Sequence, residues 1–393
     1  MSVLLCLLSD QHVPNLLFVH HYRPDHLVLI ESEGMRRRSA ARNLLAALKK
    51  GGLDYNTRCR VQPLTSEDDL AQVRLALQEA HAHAPTGEWI ANVTGGTKPM
   101  SIATYEFFSG GRGRTVYTNY GQPDRVTDLV TGLSETCRHR LSIDEFVTGY
   151  GFRPQKPLTD LQEAGERARR PLWRLTANHL AAAPATCHVL DLDDERRKRV
   201  RDKGDELPAH CFRFPSHDLA DAWLANAPSR KLDKYEGEFL TGGWLEVFFF
   251  NLLSDHADQL GIWDVTLGHN ITHDDGSNTV PNDIDVSFMH NHGMAMVECK
   301  SGAQNHDLSR GLDTLYKIEA VARQLRALRV RSFLATTGEN VLDKQGNVRG
   351  SLQSRAELYN CRILPRDQIA ELAAIVLKGS PDTADNARAL FRL

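Results

Sequence analysis

The residues with the clearest chemical potential lie just before position 300. The stretch PNDIDVSFMHNHGMAMVECK, residues 281–300, puts Asp283 and Asp285 ahead of a turn and Glu298 and Lys300 beyond it. Ile284, Val286 and Phe288 alternate with Asp283, Asp285 and Ser287, the period of a half-buried strand. Asn291, His292 and Gly293 supply turn chemistry, and Met294–Val297 opens a second strand. With the turn centred on Asn291–His292, Asp285 faces Glu298 and Asp283 faces Lys300. Directly opposed side chains have Cβ atoms only ~4.5–5.5 Å apart. Two carboxylates at about 5 Å repel by roughly 3 kcal/mol in an effective dielectric of about 20. A hard divalent cation is the simplest compensation, and oxygen ligands with open water positions suit Mg²⁺ or Mn²⁺. Lys300 lies on the face of Glu298, where an ammonium can stabilise a developing phosphorane or help deprotonate a water. The expected chemistry is metal-dependent hydrolysis of a phosphodiester.

Upstream, WLEVFFFNLL is an apolar helical segment with a single acid, Glu246. A carboxylate among Trp244, Leu245, Val247 and Phe248 is costly to bury unless it is paired or metal-bound. In a chain that is 25% charged, an E-x-K triplet on a solvated strand edge is the plain alternative. Here the triplet closes an apolar run and has acids at a matching distance across a turn.

The order helix glutamate, N-D-I-D, then E-x-K resembles the PD-(D/E)xK restriction-endonuclease-like nucleases. FLTGGWLE, the D-I-D-V strand and VECKSG are similar to a narrower group: CRISPR-associated nucleases of type III systems. In these a CARF sensor domain precedes the nuclease, and cyclic oligoadenylate switches it on. The resemblance implies that Glu246, Asp285 and Glu298 hold the metal and that Lys300 is the catalytic lysine. Asp283 sits where relatives often place Glu and shares a strand face with Asp285, so parity does not choose between the two as metal ligand.

The elements that must position such a pair of sites follow in chain order. Val3–Leu8 reads as a buried strand, followed by the loop Ser9–Asn15 and a short helix. His26–Ile30 is a second strand and Arg36–Lys50 a basic amphipathic helix ended by Gly51-Gly52. Arg58–Leu64 is a third strand, and Ser66 caps the next helix with Asp69 three residues on. Trp89–Val93 is a fourth strand, running into Thr94-Gly95-Gly96-Thr97-Lys98 before a helix from Pro99. Alternating strands and helices predict a mostly parallel, doubly wound sheet. In the 3-2-1-4 order, the loop after strand one and the TGGTK loop meet at the ligand-binding crevice. Paired glycines, two hydroxyls, a lysine and free helix-start amides suit a phosphate or nucleotide, although P-loop spacing is absent. NVTGGTKPM resembles the CARF signature and SDQ-x-x-PN its first loop. That resemblance implies that Ser9, Asp10, Gln11, Asn15, Thr94, Gly95, Gly96, Thr97, Lys98 and Met100 meet a cyclic oligoadenylate, with cyclic tetra-adenylate the expected ring. It also implies a homodimer, whose two-fold axis matches the symmetry of a cyclic ligand.

The expected fold class is α/β: a Rossmann-like doubly wound sensor over residues 1–145, a connector over 146–230, and a restriction-endonuclease-like domain over 231–393. Arg112–Tyr120 and Arg125–Thr131 read as two further strands joined by a turn at 121–124. In the connector a helix is expected around Leu161–Leu180, and the charged run Asp191–Asp205 reads as a solvated face or mobile loop. Beyond Lys300, a helix over Leu312–Leu328 carries Lys317, Arg323 and Arg326. Strands at Arg331–Thr336 and Cys361–Leu364 alternate with helices at Leu352–Tyr359 and Gln368–Leu377.

A net charge of −3 over 393 residues excludes a generally basic coat, so contact with DNA or RNA must use a local patch. Backbone geometry alone does not separate DNA from RNA as substrate. The seven cysteines are isolated, which suits a reduced cytoplasmic protein. Cys187–His188 and His210–Cys211 fit no common zinc spacing. Signal-peptide and membrane-span patterns are absent. Two other functions compete: a ligand-binding regulator or scaffold without nuclease activity, and a ribonuclease using the R-x-x-x-x-H pair Arg174 and His179, as in HEPN proteins. Four charges kept in apolar elements argue against the first. Chance pairing among 17 histidines accounts for the second.

Overall fold

Continuous apolar runs build the first sheet. Its strands are β1 (Ser2–Leu7), β2 (His26–Ser32), β3 (Cys59–Leu64), β4 (Glu88–Asn92), β5 (Arg114–Tyr117), β6 (Arg125–Asp128) and β7 (Ser134–Thr136), in the order β3-β2-β1-β4-β5-β6-β7. The first five strands pair in parallel, while β6 and β7 extend the sheet antiparallel. Val3–Leu7 is fully buried, as a parallel strand covered by helices on both faces must be. The computed structural model describes residues 1–183, 189–273, 281–301, 315–320, 322, 325, 330–338, 341–343, 345 and 347–393.

Two local expectations change. The helix expected over Arg36–Lys50 is split into Glu33–Arg37 and Ala40–Lys50, because Ser39 is left-handed at φ 56°. Asp69, not Ser66, caps the helix Leu70–His83: its carboxylate accepts from the Ala71 amide at 2.8 Å and from the Gln72 amide at 3.4 Å. Aspartate ranks with serine as a cap, so composition alone did not separate them.

The second sheet has the order β15-β14-β13-β12-β11-β8. Its strands are β8 (Phe152–Pro154), β11 (Ile262–His273), β12 (Asn282–His290), β13 (Gly293–Lys300), β14 (Val330–Thr336) and β15 (Cys361–Pro365), and a separate hairpin pairs β9 (Asp205–Pro208) with β10 (Ser229–Leu232). β8, β11, β12 and β13 pair antiparallel in turn, and β13, β14 and β15 pair in parallel. Of the helix expected over Leu312–Leu328, residues 315–320 are helical; Arg323 and Arg326 lie outside the described residues.

The connector is built into this second half. Its expected helix is two, Leu158–Ala168 and Pro171–Ala182, since Pro171 starts a new first turn. Trp173, Ala177 and Leu180 share a core with Phe248, Phe249, Val297 and Phe333. The charged run holds a helix, Asp194–Lys203, capped by Asp193 and burying only Val200. A second core joins the halves: Phe18, Leu44 and Phe146 pack in one cluster with Met289, Met294 and Met296. At the same seam Ile143 donates its amide to Asp264 Oδ2 at 2.6 Å, and Trp263 Nε1 donates to the Leu141 carbonyl at 2.7 Å. Among the described residues no helix is long and apolar enough to cross a membrane.

Candidate functional site

The β12–β13 hairpin turns on Asn291 and His292, both left-handed at φ 48° and 55°. Two consecutive positive-φ residues make the type I′ turn whose twist matches a hairpin. The register runs from His290 opposite Gly293 to Val286 opposite Val297, as the turn predicts, and the ladder stops there; Asp285 and Glu298 are the next residues of the two strands. There the Asp285 side chain takes over from the ladder: its Oδ2 accepts the Cys299 amide at 2.7 Å. Lys300 Nζ lies 2.7 Å from Glu298 Oε1 and 3.7 Å from Asp285 Oδ2. Lys317 Nζ reaches the same Glu298 oxygen at 3.1 Å and also donates to the Asp283 carbonyl at 3.2 Å.

Glu246 approaches from the first turn of the helix Trp244–Asp255. The turn before it, Phe239–Gly243, is wound as a π-helix with a break at Gly242. A Cβ at Gly242 would stand 2.8 Å from Ser301 Oγ, so glycine there lets the segment close on the end of β13. This gives the FLTGG phrase a physical reason.

The charges respond to one another. Burial and then the Glu298 charge push the Asp285 carboxyl up to about 6. Burial, followed by Asp285, pushes Glu246 well above the usual carboxylate range. Burial opposes the charge of Lys300, but Asp285 and Glu298 outweigh it and hold the ammonium above the ordinary lysine value. Acids that resist ionisation when crowded are those a dication restores to their charged form. Glu246, Asp285 and Glu298 offer the hard oxygen donors that Mg²⁺ or Mn²⁺ takes, but among the described residues their oxygens do not all lie within 4.8 Å of one another, so binding one ion requires the three side chains to draw together. Asp283 sits exposed at the rim, where Glu246 feels it only weakly, after burial, Asp285, Lys300 and Glu238. Lys317 is a further member of the site that no motif marks. Only the fold shows that the helical residues 315–320 lie beside the acids.

A cavity of about 590 Å³ opens at the carboxyl ends of the first sheet, lined by Ser9, Asp10, Gln11, Thr94, Gly95, Gly96, Thr97 and Met100. Two of the expected residues stand elsewhere. Asn15 is buried behind the loop, donating to the Leu7 carbonyl at 3.0 Å and accepting from Asn92 Nδ2 at 2.8 Å. Lys98 is exposed on the first helical turn, outside the lining. The two threonine hydroxyls are engaged in the fold: Thr94 Oγ1 accepts the Thr118 amide at 3.0 Å, and Thr97 Oγ1 donates to the Glu67 carbonyl at 2.7 Å. Gly95 is forced by proximity, since a Cβ there would lie 2.3 Å from the Leu7 carbonyl oxygen, while Gly96 is left-handed at φ 75°. The lining also includes Gly34, Met35, Arg38, Tyr117, Asn119 and Tyr120, and Arg38 pairs with Asp10. These additions come from the short helix and turn after β2, and from the end of β5 and the loop beyond it; β2 and β5 are the neighbours of β1 and β4 in the sheet. The strand order was the signal that could have found them.

The alternative pairs find ordinary roles. Arg174 pairs with Asp255, and among the described residues His210 and Cys211 belong to no metal-sized cluster. Cys187 and His188 lie outside the described residues.

Two family models match the chain: the Card1 CARF domain over residues 3–146, and the Card1-like endonuclease domain over residues 233–377. No curated protein matches. Among solved structures the chain is similar to Can2 from Sulfobacillus thermosulfidooxidans in complex with cyclic tetra-adenylate, at 21% identity and TM-score 0.64 over 96% of this chain and 99% of that one. It is similar to protein VC1899 from Vibrio cholerae at 17% identity and TM-score 0.71, over 98% of both chains. A type III CRISPR defence DNA nuclease activated by cyclic oligoadenylate gives 18% identity and TM-score 0.50, over 85% of this chain and 45% of that one. At these identities the structural likeness is one of fold.

Proposed function

The chain belongs to the CRISPR-associated family that joins a Card1-type CARF domain to a Card1-like endonuclease domain, and on that premise we propose that it is a divalent-metal-dependent endonuclease switched on by a cyclic oligoadenylate. The division into a sensor over 1–145, a connector over 146–230 and a PD-(D/E)xK nuclease over 231–393 is part of this reading. The observation that carries it is the crowding of Glu246, Asp285, Glu298 and Lys300 at one end of the β12–β13 hairpin.

In this reading Glu246, Asp285 and Glu298 hold Mg²⁺ or Mn²⁺, with Asp283 at the rim. The bound metal supplies a Lewis acid and a water of lowered pKa. Lys300, pinned between Asp285 and Glu298, presents an ammonium to the scissile phosphate. Lys317 shares Glu298 Oε1 with Lys300 and so lowers the net negative charge that holds Lys300. The substrate is a DNA or RNA backbone, since every one of these groups addresses phosphate and none a base edge.

The activator sits over the loops after β1 and β4. Four nucleotides exceed a cavity of about 590 Å³, a volume in the range that single drug-sized ligands already fill, roughly 300–1,000 Å³. Two protomers therefore share one ring across a two-fold axis. Light scattering of the ligand-bound protein checks this, and a single-chain mass would refute it. The route from cavity to acids is short in connectivity. Tyr120 lines the cavity, its neighbour Gly121 accepts a hydrogen bond from Asn291 Nδ2 at 3.2 Å, and Asn291 is the tip of the hairpin that carries the acids.

The test is cleavage of plasmid DNA, single-stranded DNA and RNA in Mn²⁺, with and without cyclic tetra-adenylate. Activator-dependent cleavage is expected. Ligand binding with no cleavage of any substrate would leave a regulator, and equal cleavage without ligand would leave an ungated nuclease.

A further inference from the structure

We propose that His20, His139 and Glu145 form a zinc site beneath the sensor sheet, sharing no residue with the acid cluster or the ligand cavity and independent of the function proposed above. The three come from separate segments: the last turn of the helix Val13–Tyr22, the loop after β7, and the helix Ile143–Gly149. Their donor atoms all lie within 4.8 Å of one another. His20 Nε2 stands 2.8 Å and His139 Nε2 3.0 Å from the same Glu145 oxygen, Oε1. The other oxygen, Oε2, is already held by the Ser142 amide at 2.9 Å and hydroxyl at 3.1 Å. One carboxylate oxygen is thus fixed in place and the other is aimed at two imidazoles, the outer-shell arrangement that orients a metal ligand.

Burial sharpens the case. The His20 and Glu145 side chains are only 1% and 3% exposed, and His20 Nε2, although close to the carboxylate, lacks hydrogen-bond geometry. Gly51 packs against the cluster, where a Cβ would stand 2.1 Å from Oε1 and 2.7 Å from His20 Nε2. Two imidazoles and one carboxylate make a His₂Glu zinc set, which leaves a fourth position open. Tetrahedral Zn²⁺ with ligands at ~2.0–2.2 Å separates its neighbours by roughly 3.3–3.5 Å, a few tenths more than the present contacts. The two rings lie face to face, with centroids 3.5 Å apart. Closing on one ion therefore needs a splay of His139, which is half-buried and borders a cavity of about 440 Å³. Arg23 and Arg138 on the rim of that cavity suit an anionic fourth ligand, a hydroxide or a phosphate oxygen. Bound zinc would staple the sensor to the helix Ile143–Gly149, whose first amide is held by Asp264 of the second sheet.

The test uses full-length protein carrying Glu298→Gln, which weakens metal capture by the acid cluster. After chelation, equilibrium dialysis is expected to return one Zn²⁺ per chain, with a raised Tm and, with Co²⁺, a four-coordinate visible spectrum. Adding His139→Gln in the same background is expected to weaken binding by roughly 100-fold and to remove the rise in Tm. Zinc absent from the Glu298→Gln protein, or bound equally well after His139→Gln, would overturn the site. X-ray absorption at the zinc edge of the Glu298→Gln protein reads the ligand shell directly. A shell without two imidazoles overturns the proposal even where the His139 variant fails to fold. No readout depends on cleavage, so failure of the nuclease reading leaves this result standing.

Discussion

The acid cluster and the sensor cavity solve opposite problems. In the cluster, side chains do the work: Asp285, Glu298 and Lys300 are placed on the hairpin strands and Glu246 by a helix turn, and burial with neighbouring charge raises the carboxyls of Asp285 and Glu246. In the cavity, the backbone dominates. Gly95 and Gly96 allow close approach, and the threonine hydroxyls are spent on the fold. A site built from charge should fail abruptly when one charge is lost. A site built from loop shape should lose strength by degrees.

The largest expected effect tests the first half of that contrast. Glu298→Ala or Lys300→Ala should lower cleavage on the order of 10³-fold, the equivalent of about 4 kcal/mol in the barrier, while activator binding persists. Single-turnover cleavage in Mn²⁺ beside a binding titration reads both. A Glu298→Ala protein cutting at the wild-type rate would remove the cluster from the chemistry.

A smaller effect is expected in the cavity. Arg38→Ala deletes the arginine of the lining and should weaken activation by cyclic tetra-adenylate about 10- to 100-fold, the range of one charge-assisted hydrogen bond. Lys98→Ala, at an exposed position outside the lining, should weaken it less. Titrating cleavage against activator for both variants decides the order. The reverse ranking would mean that the TGGTK loop binds through its charge after all.

The smallest effect concerns the link between the regions. Asn291→Gly keeps the left-handed turn but deletes the hydrogen bond to Gly121. One such bond is worth roughly 0.5–1.5 kcal/mol, so the ratio of activated to basal cleavage should fall about two- to tenfold with metal affinity unchanged. An unchanged ratio would separate the hairpin tip from the gating route.

The contrast also explains what the sequence could show. Alternation through Ile284, Val286 and Phe288, together with a turn at Asn291–His292, determines which residues face each other, because strand parity is a local property. The opposed acids were therefore legible before any fold was known. The outer members of each site were not. Arg38 joins the cavity because β2 lies beside β1, and Lys317 joins the cluster because the helical residues 315–320 lie against the end of the β12–β13 hairpin. Asn15 belongs to a loop motif yet faces inward, where its amide ties β1 to β4. Such placements depend on sheet order and side-chain direction, which a linear pattern does not contain.

The edge strand β8 has a consequence for synthesis. Its residues Phe152–Pro154 pair with Ile271–His273 of β11, so β8 leaves the ribosome long before its partner exists. The first sheet is complete by β7 and can form while translation continues. The second must wait for its late strands, with β8 an unpaired edge in the interval. Late-closing edges of this kind are where nascent chains aggregate. At three residues, and with a proline that cannot donate to a ladder, β8 is a poor template for a foreign strand.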